Sequence, residues 1–223
     1  PHMSKSATPH LLPIEKNSET RRREVLTNAL NMLANRGLIN SERLDKAIEK
    51  VLKHESDDNV YQVDIDNVGH YYPSNNDTKK LYIKMMPMQK VTGITKTSPI
   101  GEFLYQYRNN PKLVVVGSIT AKGVYQSQHE HIYTEIFLEQ ELMIDIVRHI
   151  SVPEHILLTD EESNNLRNEY GAKKRDLPKI YVSDPIAKYY NAKPDQIFRI
   201  IRPSETAGQT VYYRLVIKGN IDG

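Results

Sequence analysis

The chain has 223 residues, 39% of them hydrophobic and 26% charged, with a formal net charge of +2. Such a balance describes a globular protein with a wet surface and room for one large domain or two ordinary ones. It supplies no global positive field, so any nucleic-acid contact must come from a local patch. Cysteine is absent, which removes disulfides, thiolate metal sites and cysteine nucleophiles and fits a soluble intracellular protein. No apolar run in the sequence approaches the roughly 20 residues of a membrane helix, so no membrane partner is expected.

Pro1-His2 before Met3 reads as a cloning remnant outside the fold, and residues 1–16 as a flexible lead without a period. From Ser18 the pattern turns helical, because Val25, Leu26, Ala29, Leu30 and Leu33 recur at intervals of three and four. Arg36-Gly37 ends that helix, with the glycine suited to a left-handed C′ position. A second helix is predicted from an Asn40 or Ser41 cap, burying Leu44, Ala47, Ile48, Val51 and Leu52. After His54 the texture becomes strand-like. Val60–Ile65 and Leu81–Met85 read as strands, and Lys112–Val116 as a strand buried on both faces. Two helices followed by several strands give a mixed first domain over residues 17–140.

The second half carries sharper local signals. Thr159 and Glu162 have the spacing of a capping box, and the helix behind them is predicted to bury Leu166 and Tyr170 and to stop at Gly171. Asp184 caps a further helix with Pro185 at its first position, where the missing N–H costs nothing. Gln196–Arg202 and Gln209–Ile217 form a hairpin across the six-residue connection Pro203–Gly208. Residues 141–217 thus make a compact second domain, with a tail at 218–223, and the fold class is α/β in the α+β sense.

Several blocks in this half fall in a recognisable order. They run from Glu141-Leu142-Met143-Ile144-Asp145-Ile146 through Val152-Pro153-Glu154-His155-Ile156 to Leu177-Pro178-Lys179-Ile180 and Ser183-Asp184-Pro185-Ile186-Ala187. They close with Ile200-Ile201-Arg202-Pro203-Ser204-Glu205-Thr206-Ala207-Gly208 and Tyr213-Arg214-Leu215-Val216. This text resembles the C-terminal assembly domain of the subunit shared by the three eukaryotic nuclear RNA polymerases, which has a counterpart in the archaeal enzyme. The first half is similar more loosely, through the helix ending in Arg36-Gly37 and the Val114-Val115-Val116 strand, to the family's N-terminal jaw. Archaeal relatives lack that jaw, so the chain resembles the eukaryotic or large-DNA-virus form. The resemblance implies a non-catalytic subunit without a cofactor. Its partners would be the largest polymerase subunit and other subunits, with downstream duplex DNA passing the jaw. It also implies a nuclear protein if cellular, or one of the cytoplasmic viral factory or the virion if viral.

Three departures stand beside the likeness. Asn191-Ala192-Lys193-Pro194-Asp195 replaces a frequent Gly-x-Lys-x-Gly, and the bend is expected to survive because Asn and a Pro-Asp turn tolerate it. The chain continues from Ile217 to Gly223 past the usual end. Ser118-Ile119-Thr120-Ala121-Lys122 lacks the Pro-Ser pair that many relatives carry after the buried jaw strand.

The residues offer these sites. Arg202 and Arg214, read as lying near the facing ends of the hairpin strands, can hold Glu205 and staple the turn. With Ser204, Thr206, Ala207, Gly208, Asp184 and Pro185 they form the subunit surface that the resemblance implies. Arg21-Arg22-Arg23 places cations at a helix N-terminus, the wrong end for the dipole, and so either faces something negative or is a solvated cluster beside Glu19 and Glu24. Thr120 and Lys122 are the other DNA-proximal candidates. Two enzyme readings are weighed against these. His129 and His131 point the same way if they lie on a strand, yet no third metal ligand has a recognisable spacing, and His155 reads as a structural hydrogen-bonder. Asp64, Asp66 and Lys84 have the residue types of a metal-dependent nuclease, which makes a free-standing DNA-binding or nuclease-like protein the alternative function. No catalytic residue and no metal site is assigned.

Overall fold

The computed structural model describes residues 16–54, 58–66, 79–131, 133–171, 173–204 and 208–219. Helix α1 (Ser18–Asn35) starts where Asn17 accepts a hydrogen bond from the Thr20 amide, and Gly37 follows its cap at φ +73°. Its stripe of Val25, Leu26, Ala29, Leu30 and Leu33 is buried as the period requires. Asn40 caps α2 (Ser41–Lys53), of which Val51 is buried while Leu44, Ile48 and Leu52 pack more shallowly on the same core.

The first sheet contains β1 (Val60–Asp64), β2 (Lys80–Val91), β3 (Lys112–Ile119) and β4 (Thr134–Leu138) in the order β1-β2-β3-β4. β1 runs antiparallel to β2, whereas β2, β3 and β4 are parallel. Parallel neighbours need crossovers, and α3 (Pro99–Gln106) and α4 (Ala121–Glu130) supply them. One face of the sheet packs Ile83, Met85, Leu113 and Val115 against α1 and α2. The other packs Met86, Val114 and Val116 against α3. β3 is therefore buried from Lys112 to Val116, as its continuous apolar run foretells. Between Met86 and Lys90 the β2 strand bulges, so that three residues oppose the single Gly117. A Cβ on Gly117 would stand 2.2 Å from the Pro87 carbonyl oxygen, which is why this position takes glycine.

The second sheet has the order β5-β7-β8-β6, from β5 (Glu154–Leu157), β6 (Lys179–Tyr181), β7 (Ile197–Ser204) and β8 (Gly208–Ile217). Its alternation divides the side chains. Phe198, Ile200 and Val216 face α7 (Pro185–Tyr189), and Ile197 and Leu215 face Leu166 of α6 (Asp160–Tyr170). The Thr159–Glu162 capping box and the left-handed Gly171 cap form as expected. Tyr170, expected to be buried, is 65% exposed, because it lies at the outer end of α6 and only flanks Tyr213 at 6.3 Å. The hairpin pairing extends to Ser204 opposite Gly208, beyond the expected strand ends, and leaves only three residues between the strands. Glu205, Thr206 and Ala207 lie outside the described residues. Asn191 and Asp195 adopt φ of +48° and +75°, so the bend forms at the two positions where the resemblance leads one to expect glycine.

Both halves meet along one helix. Arg21, Asn28 and Asn35 recur every two turns of α1 and each reaches a group beyond residue 138. Arg21 donates to Glu139 at 2.8 Å, Asn28 to the Leu142 carbonyl at 2.8 Å, and Asn35 to the Tyr189 hydroxyl at 2.7 Å. Leu142 and Tyr189 are themselves members of the core built by α1 and the first sheet, so one hydrophobic cluster crosses the 140/141 boundary.

Candidate functional site

At the junction, Arg36 leaves the end of α1 with its side chain fully buried. It grips Glu135 of β4 with both terminal nitrogens at 2.9 Å, and it donates to the carbonyls of Tyr189 and Lys188 at 2.6 and 3.2 Å. This fork is the geometry that makes a guanidinium strong at low dielectric. Glu135 also accepts from Asn191 at 3.2 Å, and Lys188 reaches Glu141 at 2.6 Å. Burial pushes the Tyr189 phenol well above its usual range. A single polar knot thus ties α1, β4 and α7 together. The sequence offered no local signal for it, because the partners of Arg36 lie 99 and 153 residues away.

The second candidate is the hairpin. Arg202 stands opposite Thr210, and Arg214 opposite Phe198. Four register steps therefore separate the two arginines, and Arg214 does not lie at the turn as expected. The register is set by Phe198 and Ile200 facing the core, which fixes Arg214 away from the turn. Both guanidiniums nevertheless project on one face of the sheet. His155 lies on the same face, opposite Ile200, while Ile200 is opposite Tyr212. The His155 Nδ1 lies 2.7 Å from the Pro153 carbonyl oxygen, which can only accept, so this nitrogen carries the proton, and the ring meets Phe198 edge-on. Burial holds the His155 pKa below its usual value. Asp184 caps α7 by accepting from the Ile186 amide at 2.9 Å, with Pro185 at the first position. Gly208 opens β8 at φ +70°.

The DNA-proximal candidates divide. Arg21 is engaged with Glu139, and Arg22 pairs with Glu19 at 3.4 Å and lies over the Tyr61 ring, while Arg23 is exposed. Thr120 caps α4 and donates to the Thr92 carbonyl at 2.8 Å, so the end of β3 is tied to the end of β2. Lys122 is exposed in the first turn of α4.

His129 and His131 do not share a strand. His129 lies in α4 stacked on Tyr125, and His131 is buried at the helix end with its ring edge-on to Tyr105. Asp64 pairs with Lys50 at 3.0 Å and Asp66 with Arg43 at 2.9 Å, while Lys84 donates to the Asp58 carbonyl. The nuclease triad is thus dispersed into separate contacts. Among the described residues no group of three His, Asp or Glu is gathered that could hold a metal ion.

Comparison with known proteins bears on both regions. Residues 144–216 match the family model described as RNA polymerase Rpb5, C-terminal domain. The chain is 32% identical over 213 residues to DNA-directed RNA polymerase subunit 5 of Acanthamoeba polyphaga mimivirus, covering 93% of this chain and 97% of the relative. The chain belongs to the RNA polymerase subunit 5 family. A second relative, subunit rpabc1 of RNA polymerases I, II and III from Dictyostelium discoideum, is 34% identical over 158 residues, or 68% of this chain and 80% of the relative. The archaeal subunit Rpo5 of Thermofilum pendens is 48% identical over 75 residues, which are 94% of that relative but only 34% of this chain. The subunit 5 family therefore occurs in a short and a long form, and this chain has the extent of the long one. The nuclease-like alternative finds no support in these relatives.

Proposed function

We propose that the chain acts as a non-catalytic subunit of a DNA-dependent RNA polymerase, with residues 141–217 docking on the largest subunit and residues 17–140 forming a jaw beside downstream duplex DNA. What carries this reading is the match to a polymerase subunit across both halves. Its physical support is the division of labour just described. The second sheet leaves guanidiniums and aromatic rings on its surface, which is what a docking face needs. The first sheet ends its parallel strands where α4 begins, with Thr120 at the cap and Lys122 exposed beside it, and this places a helix N-terminus and a cation at one edge. Contacts of that kind grip phosphate and carry no base sequence. Of the arginine triplet, Arg23 is the member open to solvent and able to add to that field. The buried Arg36 knot would transmit the position of the docked domain to the jaw. No cofactor is required for this role. The site of action follows the host polymerase, nuclear for a cellular enzyme and the viral factory or virion for a viral one.

The test is reconstitution. The tagged chain, co-expressed with the polymerase subunits, is expected to retain the largest subunit through purification. A photo-crosslinker at position 122 is expected to label downstream duplex in the assembled enzyme. Failure to retain any polymerase subunit would overturn the assembly role. Retention without a DNA adduct would overturn the jaw's place alone.

A further inference from the structure

Across β7 and β8, one row of the sheet places His155, Ile200 and Tyr212 side by side, and the rows around it contribute Arg202 and Arg214. Tyr212 is 47% exposed and lies between the two arginines, with the Arg202 guanidinium 5.5 Å above its ring. A guanidinium that stacks on an aromatic ring keeps its in-plane N–H fork directed outward. Arg21, Arg36, Arg43 and Arg148 each hold a carboxylate within 3.2 Å. Among the described residues neither Arg202 nor Arg214 has such a partner. Asp184, whose charge is felt at His155 together with both guanidiniums, is already engaged in capping α7.

We infer that this face receives an acidic, extended segment of the largest polymerase subunit, with Arg202 and Arg214 each clasping one carboxylate of it on either side of Tyr212. The inference rests on the assembly reading above and names the chemistry of the partner. The spacing fits a strand-like segment. Four register steps amount to about 13 Å, the distance between side chains four residues apart on an extended chain, so carboxylates at i and i+4 meet the two forks together. An exposed aromatic ring between two arginines is also the composition of an interface anchor. Nucleic acid fits less well, since phosphate binding favours a run of cations, and here Asp184 borders the patch.

The experiment uses the full chain co-expressed with the largest subunit. Tyr212→p-benzoylphenylalanine provides a crosslinker at the centre of the patch, and the adduct is mapped by mass spectrometry. The adduct is expected in a segment carrying Asp or Glu four residues apart. Retention of the largest subunit is expected to fall at least about tenfold in the double variant Arg202→Glu, Arg214→Glu, with a smaller loss in Arg202→Lys, Arg214→Lys. Circular dichroism is expected to be unchanged, since both side chains are exposed. An adduct in a segment without carboxylates, an adduct to nucleic acid, or undiminished retention of the charge-reversed variant overturns the inference while leaving assembly intact. Loss of retention by the wild type overturns the assembly reading and the inference with it.

Discussion

The two sheets solve the burial problem differently. The β1–β4 sheet has helices on both faces, and its central strand is buried over five consecutive residues. The β5–β8 sheet has two smaller clusters and leaves Ile156, Tyr181, Val211 and Tyr212 exposed. Yet the second sheet is the part that the family model matches, over residues 144–216. Under the docking role proposed above, the difference teaches that this half is constrained by a surface as much as by a core. A strand sealed on both faces accepts many apolar residues of suitable volume, whereas a face that must meet a partner needs particular side chains at particular register positions.

The largest expected effect lies at the junction between the two regions. Arg36→Ala leaves Glu135 buried without its cation, and the loss of stability is expected to be about 3–5 kcal/mol, as for other broken buried pairs. Chemical denaturation measures this directly, and a loss below about 1 kcal/mol would show that the Arg36 knot does not hold the two halves together. The double variant Arg36→Met, Glu135→Leu is expected to recover much of the deficit, because no charge is then stranded.

Within the first sheet, Gly117→Ala drives a methyl group into the Pro87 carbonyl and is expected to cost about 1–3 kcal/mol. A wild-type melting temperature in this variant would mean that the β2 bulge is not held as described. In the second domain, Asp184→Ala removes a cap worth about 1 kcal/mol, while Asp184→Asn keeps it. If both variants lose polymerase binding but only Ala loses stability, the carboxylate serves the interface apart from its role in the fold.

The smallest effect near neutral pH concerns Lys112, which is buried and donates to the carbonyls of Tyr107, Arg108 and Asn110 at 3.1, 3.3 and 2.9 Å. Burial lowers its pKa from 10.5 to about 8. The unfolded chain therefore holds the proton through a window in which the folded chain releases it. The contribution of this group to stability is thus lowest below pH 8 and rises from there to about pH 10.5. An NMR titration of the Lys112 side chain should show a midpoint near 8; a midpoint above 10 would mean that the three carbonyls fully offset the loss of hydration.

Much of this protein is local and was legible in the residues. Helix starts at Asn40, Thr159 and Asp184, stops at Gly37 and Gly171, the continuous apolar run of β3 and the left-handed Asn191 all depend on groups a few positions apart. Short-range hydrogen bonds and backbone sterics decide such features wherever the segment sits. The assembly motif was legible too, because its blocks are contiguous. What only the tertiary structure decided is which distant groups meet. α1 presents an apolar stripe that any periodicity shows, but its polar stripe of Arg21, Asn28 and Asn35 acquires meaning only when Glu139, Leu142 and Tyr189 fold against it. Arg36 reads as a helix terminus until Glu135 arrives, and Arg214 as a turn residue until the register moves it four steps away. The pairing of charges across a hundred residues and the face on which a strand residue emerges are set by packing of the whole chain, which no short window of sequence contains.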